Sequence, residues 1–190
     1  MTAFEHVILL LSFVYALALT HLLSCTAALI RAGARVRFSW VLSAWMLNAL
    51  VVILANWLSF FDLRSGPGWN VSTILFLLAI AIANYLQAAL VCMDVPENGP
   101  ADMVAFHEAQ ARKYIPAFIA SVVIAFFANI FLGGAFHVGE LLRQNAAVIP
   151  MIVLATIAAI WIRGRVQVLA LIGLAGLWLY YFVDLQAALK

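Results

Sequence analysis

The chain has 190 residues, 67% of them apolar and 9% charged, with a mean hydropathy of +1.11 and a formal net charge of +2. Soluble domains are roughly half apolar and a quarter charged, so a soluble globular protein, a disordered chain, a nucleic-acid binder and a disulfide scaffold are all excluded. A bilayer crossing takes about 20 apolar residues, and the apolar runs fill roughly six such segments, leaving no stretch for a soluble domain.

The first expected span covers about 4–30 and closes on Arg31, Arg35 and Arg37. Its start carries Glu5 and no Lys or Arg, unlike the positive start of a signal peptide, so it reads as a retained span. The second covers about 38–61. Asp62 to Asn70 follows, with Gly66-Pro67-Gly68 as a turn signal. The third covers about 71–93 and stops at Asp94, Pro96 and Gly99-Pro100. Residues 101–114 are polar enough to leave the membrane, as an interfacial helix or a cytoplasmic extension of the next span. Glu108 and Arg112 are spaced there as an i,i+4 pair. The fourth span covers about 115–136, with Pro116 near its first turn. His137 to Asn145 reads as a loop. The fifth span covers about 146–162, Arg163-Gly164-Arg165 is a tight connection, and the sixth covers about 166–187. The fold class is all-α: one polytopic transmembrane helix bundle over 1–190.

Basic residues set orientation. Arg31, Arg35, Arg37, Arg112, Lys113, Arg163 and Arg165 fall on one side of this topology, and Arg64, Arg143 and Lys190 on the other. The first side is expected to be cytoplasmic, with both termini periplasmic. Trp40 and Trp161 then mark the inner boundary, Trp57 and Trp69 the outer one.

Helices in lipid associate through close packing at small residues and through polar contacts. Ser12, Ala16, Thr20, Ser24 and Ala28 recur every four residues in span 1. Ala117, Ser121, Ala125, Asn129 and Gly133 do so in span 4. Both faces are expected to be buried against other helices. These spans head the two three-span halves and run in opposite directions, as an inverted repeat requires.

Ionisable residues at membrane depth are costly and are functional by default. His21, in the inner half of span 1, is the first such candidate, weighed against a neutral His bonded to a neighbouring helix. Asn48, Asn84, Gln87 and Asn129 complete the set, either as glue between helices or as the lining of a polar path. Glu5, His6, Asp62, His137, Glu140 and Asp184 fall on the outer side and read as solvated charge.

No catalytic residue is assigned. His107-Glu108 does not extend to HExxH, because position 111 is Ala. Cys25 and Cys92 lie outside any CxxC or His-rich spacing, so no metal site is expected. A haem needs a second intramembrane axial ligand, and none of His6, His107 and His137 is clearly intramembrane. No Lys lies in the spans, and there is no arginine ladder and no TVGYG-type filter. Neither a cofactor nor an enzymatic activity is expected.

Phe4-Glu5-His6 and the Leu-rich run to Leu19-Thr20-His21-Leu22-Leu23 resemble a group of small polytopic bacterial inner-membrane proteins. The Arg-rich first loop, the Trp-rich second span, Trp69 and the stop at Pro96 continue the resemblance over roughly the first 120 residues. It implies a bacterial inner membrane, and neither an activity nor residue roles. It also draws attention to Glu5, His6 and His21 as one motif. On a helix, positions 6 and 21 lie about 22 Å apart along the axis, too far to share one small ligand.

Two functions are carried forward. One is an ion or small-solute channel or transporter, acting as a homo-oligomer. The other is a non-catalytic accessory or scaffold subunit of a larger membrane complex. They differ in one visible respect: a wide small-residue face left unfilled by the chain's own helices points to a partner. A lipid- or quinone-handling role at Tyr180, Tyr181, Phe182 and Asp184 is the third reading.

Overall fold

A computed structural model describes residues 3–59, 70–97, 99–133 and 138–188; for residues 3, 4, 132, 133, 138, 140, 144, 185, 187 and 188 only the backbone is described. The expected turn at 66–68, together with Asp62, Arg64, Trp69, His137 and Lys190, lies outside the described residues. The elements in order are α1 (Ala3–Ala32), a 3-10 turn (Gly33–Arg35), β1 (Val36–Arg37), α2 (Trp40–Ser59), α3 (Val71–Val91), β2 (Ala101–Asp102), α4 (Met103–Gly133), α5 (Val138–Gln144), α6 (Val148–Ile160) and α7 (Arg165–Ala188). Among the described residues the protein is thus an all-α bundle with one two-stranded clasp.

The clasp orders the topology. β1 follows α1, β2 follows α3, and they pair in parallel with Val36 opposite Ala101 and Arg37 opposite Asp102. The ends of α1 and α3 therefore share one side of the bundle, and α4 starts there. Asp102 caps that start, its Oδ1 accepting from the backbone N–H of Val104 at 2.9 Å and of Ala105 at 3.0 Å. The 31 residues of α4 carry the chain about 46 Å away. Yet His107 Nε2 lies 3.2 Å from the carbonyl of Ile162, just beyond α6. The chain has returned by then, and α7 leaves again. It therefore traverses the bundle six times, and both described ends lie opposite the clasp. Arg31, Arg35, Arg37, Arg112, Lys113, Arg163 and Arg165 are all exposed on or beside the clasp side.

Among the described residues five helices, α1 to α4 and α7, are long and apolar enough to cross a membrane. The remaining traverse is broken, which the sequence reading missed. At 13 residues, α6 spans only about 20 Å, short of the roughly 30 Å hydrocarbon core. The 7-residue α5 occupies what the sequence presents as a loop, and together the segments reach across. Pro150 lacks the N–H that would bond the Ala146 carbonyl, and the chain turns at residues 145–147. Asn145, fully buried at this break, donates to the Leu141 carbonyl at 3.0 Å.

Of the two readings of residues 101–114, the structure shows the helical extension of the next span: α4 is continuous from Met103, so Pro116 stands inside the helix rather than near its start. Its missing bond frees the Arg112 carbonyl, and both residues are exposed, so the lost bond falls on the outer face. Glu108 pairs with Arg163 across the bundle rather than with Arg112 along its own helix.

The core has two parts. The larger joins α2, α4, α6 and α7, with Leu22 and Leu29 of α1 and Val91 of α3, around Trp45, whose ring lies 5.9 Å from Tyr114 and 6.0 Å from Phe118. The smaller joins α1 and α3 through Val7, Leu11, Tyr15, Ala18, Leu77, Ala81 and Ala88, with Ile53 from α2.

Candidate functional site

The amides predicted from sequence are distributed over three interfaces. Asn84 and Gln87 share the buried face of α3, each 1% exposed. Asn84 Nδ2 donates to the Tyr15 hydroxyl of α1 at 3.4 Å. Among the described residues, Asn84 Oδ1 and both polar atoms of Gln87 have no protein partner. Three such atoms in one helix face form a polar point inside an otherwise apolar interface. Asn48 lies between α2 and α7, where its Oδ1 accepts from Trp178 Nε1 at 2.9 Å while its Nδ2 is unpartnered among the described residues. Asn129 of α4 donates to Asn145 Oδ1 at 3.1 Å and so ties α4 to the break in the α5–α6 traverse.

Several polar groups that sequence reasoning passed over are more completely bonded. Gln167, in the first turn of α7, accepts from Trp45 Nε1 at 3.0 Å. It donates to the carbonyls of Ala158 at 2.6 Å and Trp161 at 3.1 Å. One side chain thus closes the end of α6, where carbonyls lack helical partners, and fastens it to α2. His107 does similar work near the clasp. A carbonyl only accepts, so the ring donates from Nε2 to Ile162, and Nδ1 faces the Tyr114 hydroxyl. The sequence signal for Gln167 is a polar side chain within a hydrophobic run, whereas His107 stands in the polar 101–114 stretch and carries no such signal.

The two small-residue faces differ. On α4, Ser121 is buried and Ala117 and Ala125 are half-buried, while Gly133 is described by backbone alone. On α1 the bundle uses another face. Val7, Leu11, Tyr15, Ala18 and Leu22 turn inward, because Tyr15 and Ala18 meet α3. Ala16, Thr20 and Ser24 are exposed, and Ser12 and Ala28 half-buried. The expectation of a buried α1 ladder therefore fails within the single chain. His21 is also exposed at the edge of this face. Among the described residues its ring has no hydrogen bond; only its backbone carbonyl is engaged, by the Cys92 thiol at 3.9 Å.

The fold also brings Cys25 and Cys92 within hydrogen-bonding reach of each other, although 67 positions separate them. Both are free thiols. Among the described residues no three His, Cys, Asp or Glu side chains gather in a way that could hold a metal ion. Glu5 and His6 at the start of α1, and Asp184 near the end of α7, are exposed. At the clasp, the Ala105 N–H, and secondarily Arg37 at 2.9 Å, hold the Asp102 carboxyl below its usual pKa.

Two grooves open on the flanks. One, of about 450 Å³, runs between α1 and α2 toward the clasp. The other, of about 310 Å³, lies between α2 and α7 and includes Asn48, Trp178 and Phe182.

Long apolar helices, buried amides and an apolar exterior define a multi-pass membrane protein. No protein family, curated protein or solved structure matches the chain.

Proposed function

We propose that this multi-pass membrane protein is a non-catalytic subunit of a larger membrane assembly, joined to its neighbours through the outward face of α1. The observation that carries this reading is the exposure of Ala16, Thr20 and Ser24 with His21 beside them. Small residues let a second helix approach closely. A partner also supplies bonds for hydroxyls and an imidazole that hydrocarbon cannot satisfy. On this reading the membrane is a bacterial inner membrane with both termini periplasmic, and the excess of arginine and lysine on the clasp side supports a cytoplasmic orientation of that side.

The test is native mass spectrometry after mild extraction, on the wild type and on Ala16→Leu/Ser24→Leu. The expected result is a fixed stoichiometry with at least one further chain, lost in the variant. A monomer in both, or the same stoichiometry in both, overturns the proposal.

A second reading, an ion or small-solute channel or transporter acting as a homo-oligomer, draws on the unpartnered atoms of Asn84 and Gln87. Such atoms accept a polar guest where the surrounding helices offer none. Its test is flux into liposomes. His21→Leu, Asn48→Leu and Gln87→Leu each abolish flux if the path is real, and unchanged flux in all three removes it.

A further inference from the structure

The packing of α1 on α3 brings together two thiols that neither functional reading uses. Both helices run toward the clasp. Tyr15 meets Asn84 at a separation of 69 positions, Cys25 meets Met93 at 68 and His21 meets Cys92 at 71. A near-constant offset keeps the helices side by side over about three turns. Cys25 and Cys92 fall on the same register.

Their contacts are crosswise. The Cys25 thiol donates at 3.6 Å to the carbonyl of Met93, the residue after Cys92. The Cys92 thiol donates at 3.9 Å to the carbonyl of His21, one turn before Cys25. Each sulfur thus rests on the backbone beside the other, and the two side chains lie within hydrogen-bonding reach. A disulfide requires side chains that point toward each other across a short gap, and this crossed arrangement supplies that. Both thiols are half-buried rather than sealed in the core. Cys92 is the C-cap of α3, where the backbone becomes extended, and Asp94 two positions on is exposed. The pair therefore lies at the end of a helix, where water-borne reagents arrive. Among the described residues no third His, Cys, Asp or Glu joins them to hold a metal ion. Structural zinc takes four such ligands, so the donor set favours redox chemistry.

We infer that Cys25 and Cys92 are a redox-active pair that closes to a disulfide under a hydroperoxide and staples α1 to α3. With hydrogen peroxide, one sulfur, as thiolate, attacks the O–O bond. An S–O bond forms, giving a sulfenic acid, and the other oxygen leaves as water. The second sulfur then attacks the first. The S–S bond forms, the S–O bond breaks and a second water leaves. Both sulfurs are oxidised, the peroxide is reduced, and the two thiol protons end in the two waters. A dithiol reductant returns two electrons and two protons and reopens the bond. Ser24 and His21, on the outward face of α1, flank Cys25, so the staple also fixes how that face is turned. The inference rests on neither functional reading.

The test uses the full chain in mild detergent, reduced, freed of reductant and treated with limiting hydrogen peroxide. Free thiols are then blocked with iodoacetamide, and the chain is weighed intact and mapped by peptides. The wild type is expected to lose both alkylatable thiols together, to become about 2 Da lighter than the reduced chain, and to regain both thiols with dithiothreitol. One linked peptide pair should contain Cys25 and Cys92. In Cys25→Ser and Cys92→Ser the remaining thiol is alkylated or gains about 32 Da as a sulfinic acid. Peroxide should also raise the sodium dodecyl sulfate concentration that unfolds the wild type, and not that of either variant. Wild-type sulfurs that oxidise separately, as in the variants, overturn the proposal. So does a disulfide that only joins two chains, or an internal disulfide that leaves the unfolding midpoint unchanged.

Discussion

Two fully buried glutamines in one bundle carry opposite predictions. Gln167 makes three hydrogen bonds, whereas among the described residues neither polar atom of Gln87 has a protein partner. Methionine nearly matches glutamine in volume, so Gln167→Met and Gln87→Met change polarity at little cost in packing. In Gln167→Met the indole N–H of Trp45 and the carbonyl of Ala158 lose their partner, and both residues are 0% exposed. Each buried orphan costs about 1–3 kcal/mol, so the variant should lose roughly 2–6 kcal/mol. A second route gives a similar lower bound: interhelical bonds in membranes average about 0.6 kcal/mol, or roughly 2 kcal/mol for three. Gln87→Met instead removes atoms that already lack partners, and should gain about 1–3 kcal/mol. The assay is unfolding in mixed micelles by sodium dodecyl sulfate titration, with the Trp45→Phe/Gln167→Met double mutant closing a cycle. A loss of stability in Gln87→Met equal to or larger than that in Gln167→Met refutes the reasoning, because hydrogen-bond satisfaction would then not decide the sign.

A Cβ on Gly173 would meet Leu154 Cδ1 at 2.6 Å, whereas among the described residues no atom of a neighbouring helix lies within 4 Å of one on Gly176. Gly173→Leu should therefore destabilise the α6–α7 contact by about 1–3 kcal/mol and Gly176→Leu should not, as melting in detergent will show. Tyr114→Phe removes the partner of His107 Nδ1 and should cost about 1 kcal/mol in the same assay. Asn129→Leu leaves Asn145 Oδ1 without its donor, and should speed amide exchange at residues 145–149 more than on α7. The Asp102 carboxyl is held below its usual pKa, so its contribution is complete above the unfolded value near pH 4 and is lost as pH falls through the lower folded value. The Ala105 amide resonance should titrate with a midpoint below about 4; a midpoint at or above that range contradicts the cap.

Hydropathy made most of the architecture legible, because crossing a membrane requires length and apolarity that few residue choices satisfy. The break at Asn145 was less so. Glu140, Arg143 and Gln144 make α5 look like a loop, although Pro150 stands where the helix interrupts. Asn84 and Gln87 were recognisable as intramembrane amides from their positions alone. Their surroundings were not, since Tyr15 reaches Asn84 across 69 positions and depends on how α1 is rotated. That rotation also turned the small residues of α1 outward. Spacing defines a face and does not say which neighbour it meets. Gln167, Trp45, His107 and Tyr114 had no periodic signal at all, because each acts singly.

The clasp has a consequence for the order in which the chain assembles. Arg37 and Asp102 are 65 positions apart, which at ordinary synthesis speeds is a delay of roughly 3–13 s. During that interval β1 waits unpaired while α2 and α3 are threaded into the bilayer. When Asp102 arrives, it both meets Arg37 and caps α4. Closure of the first three helices and initiation of the fourth are thus one event, so the amino-terminal half is fastened before the broken traverse has to be inserted against it.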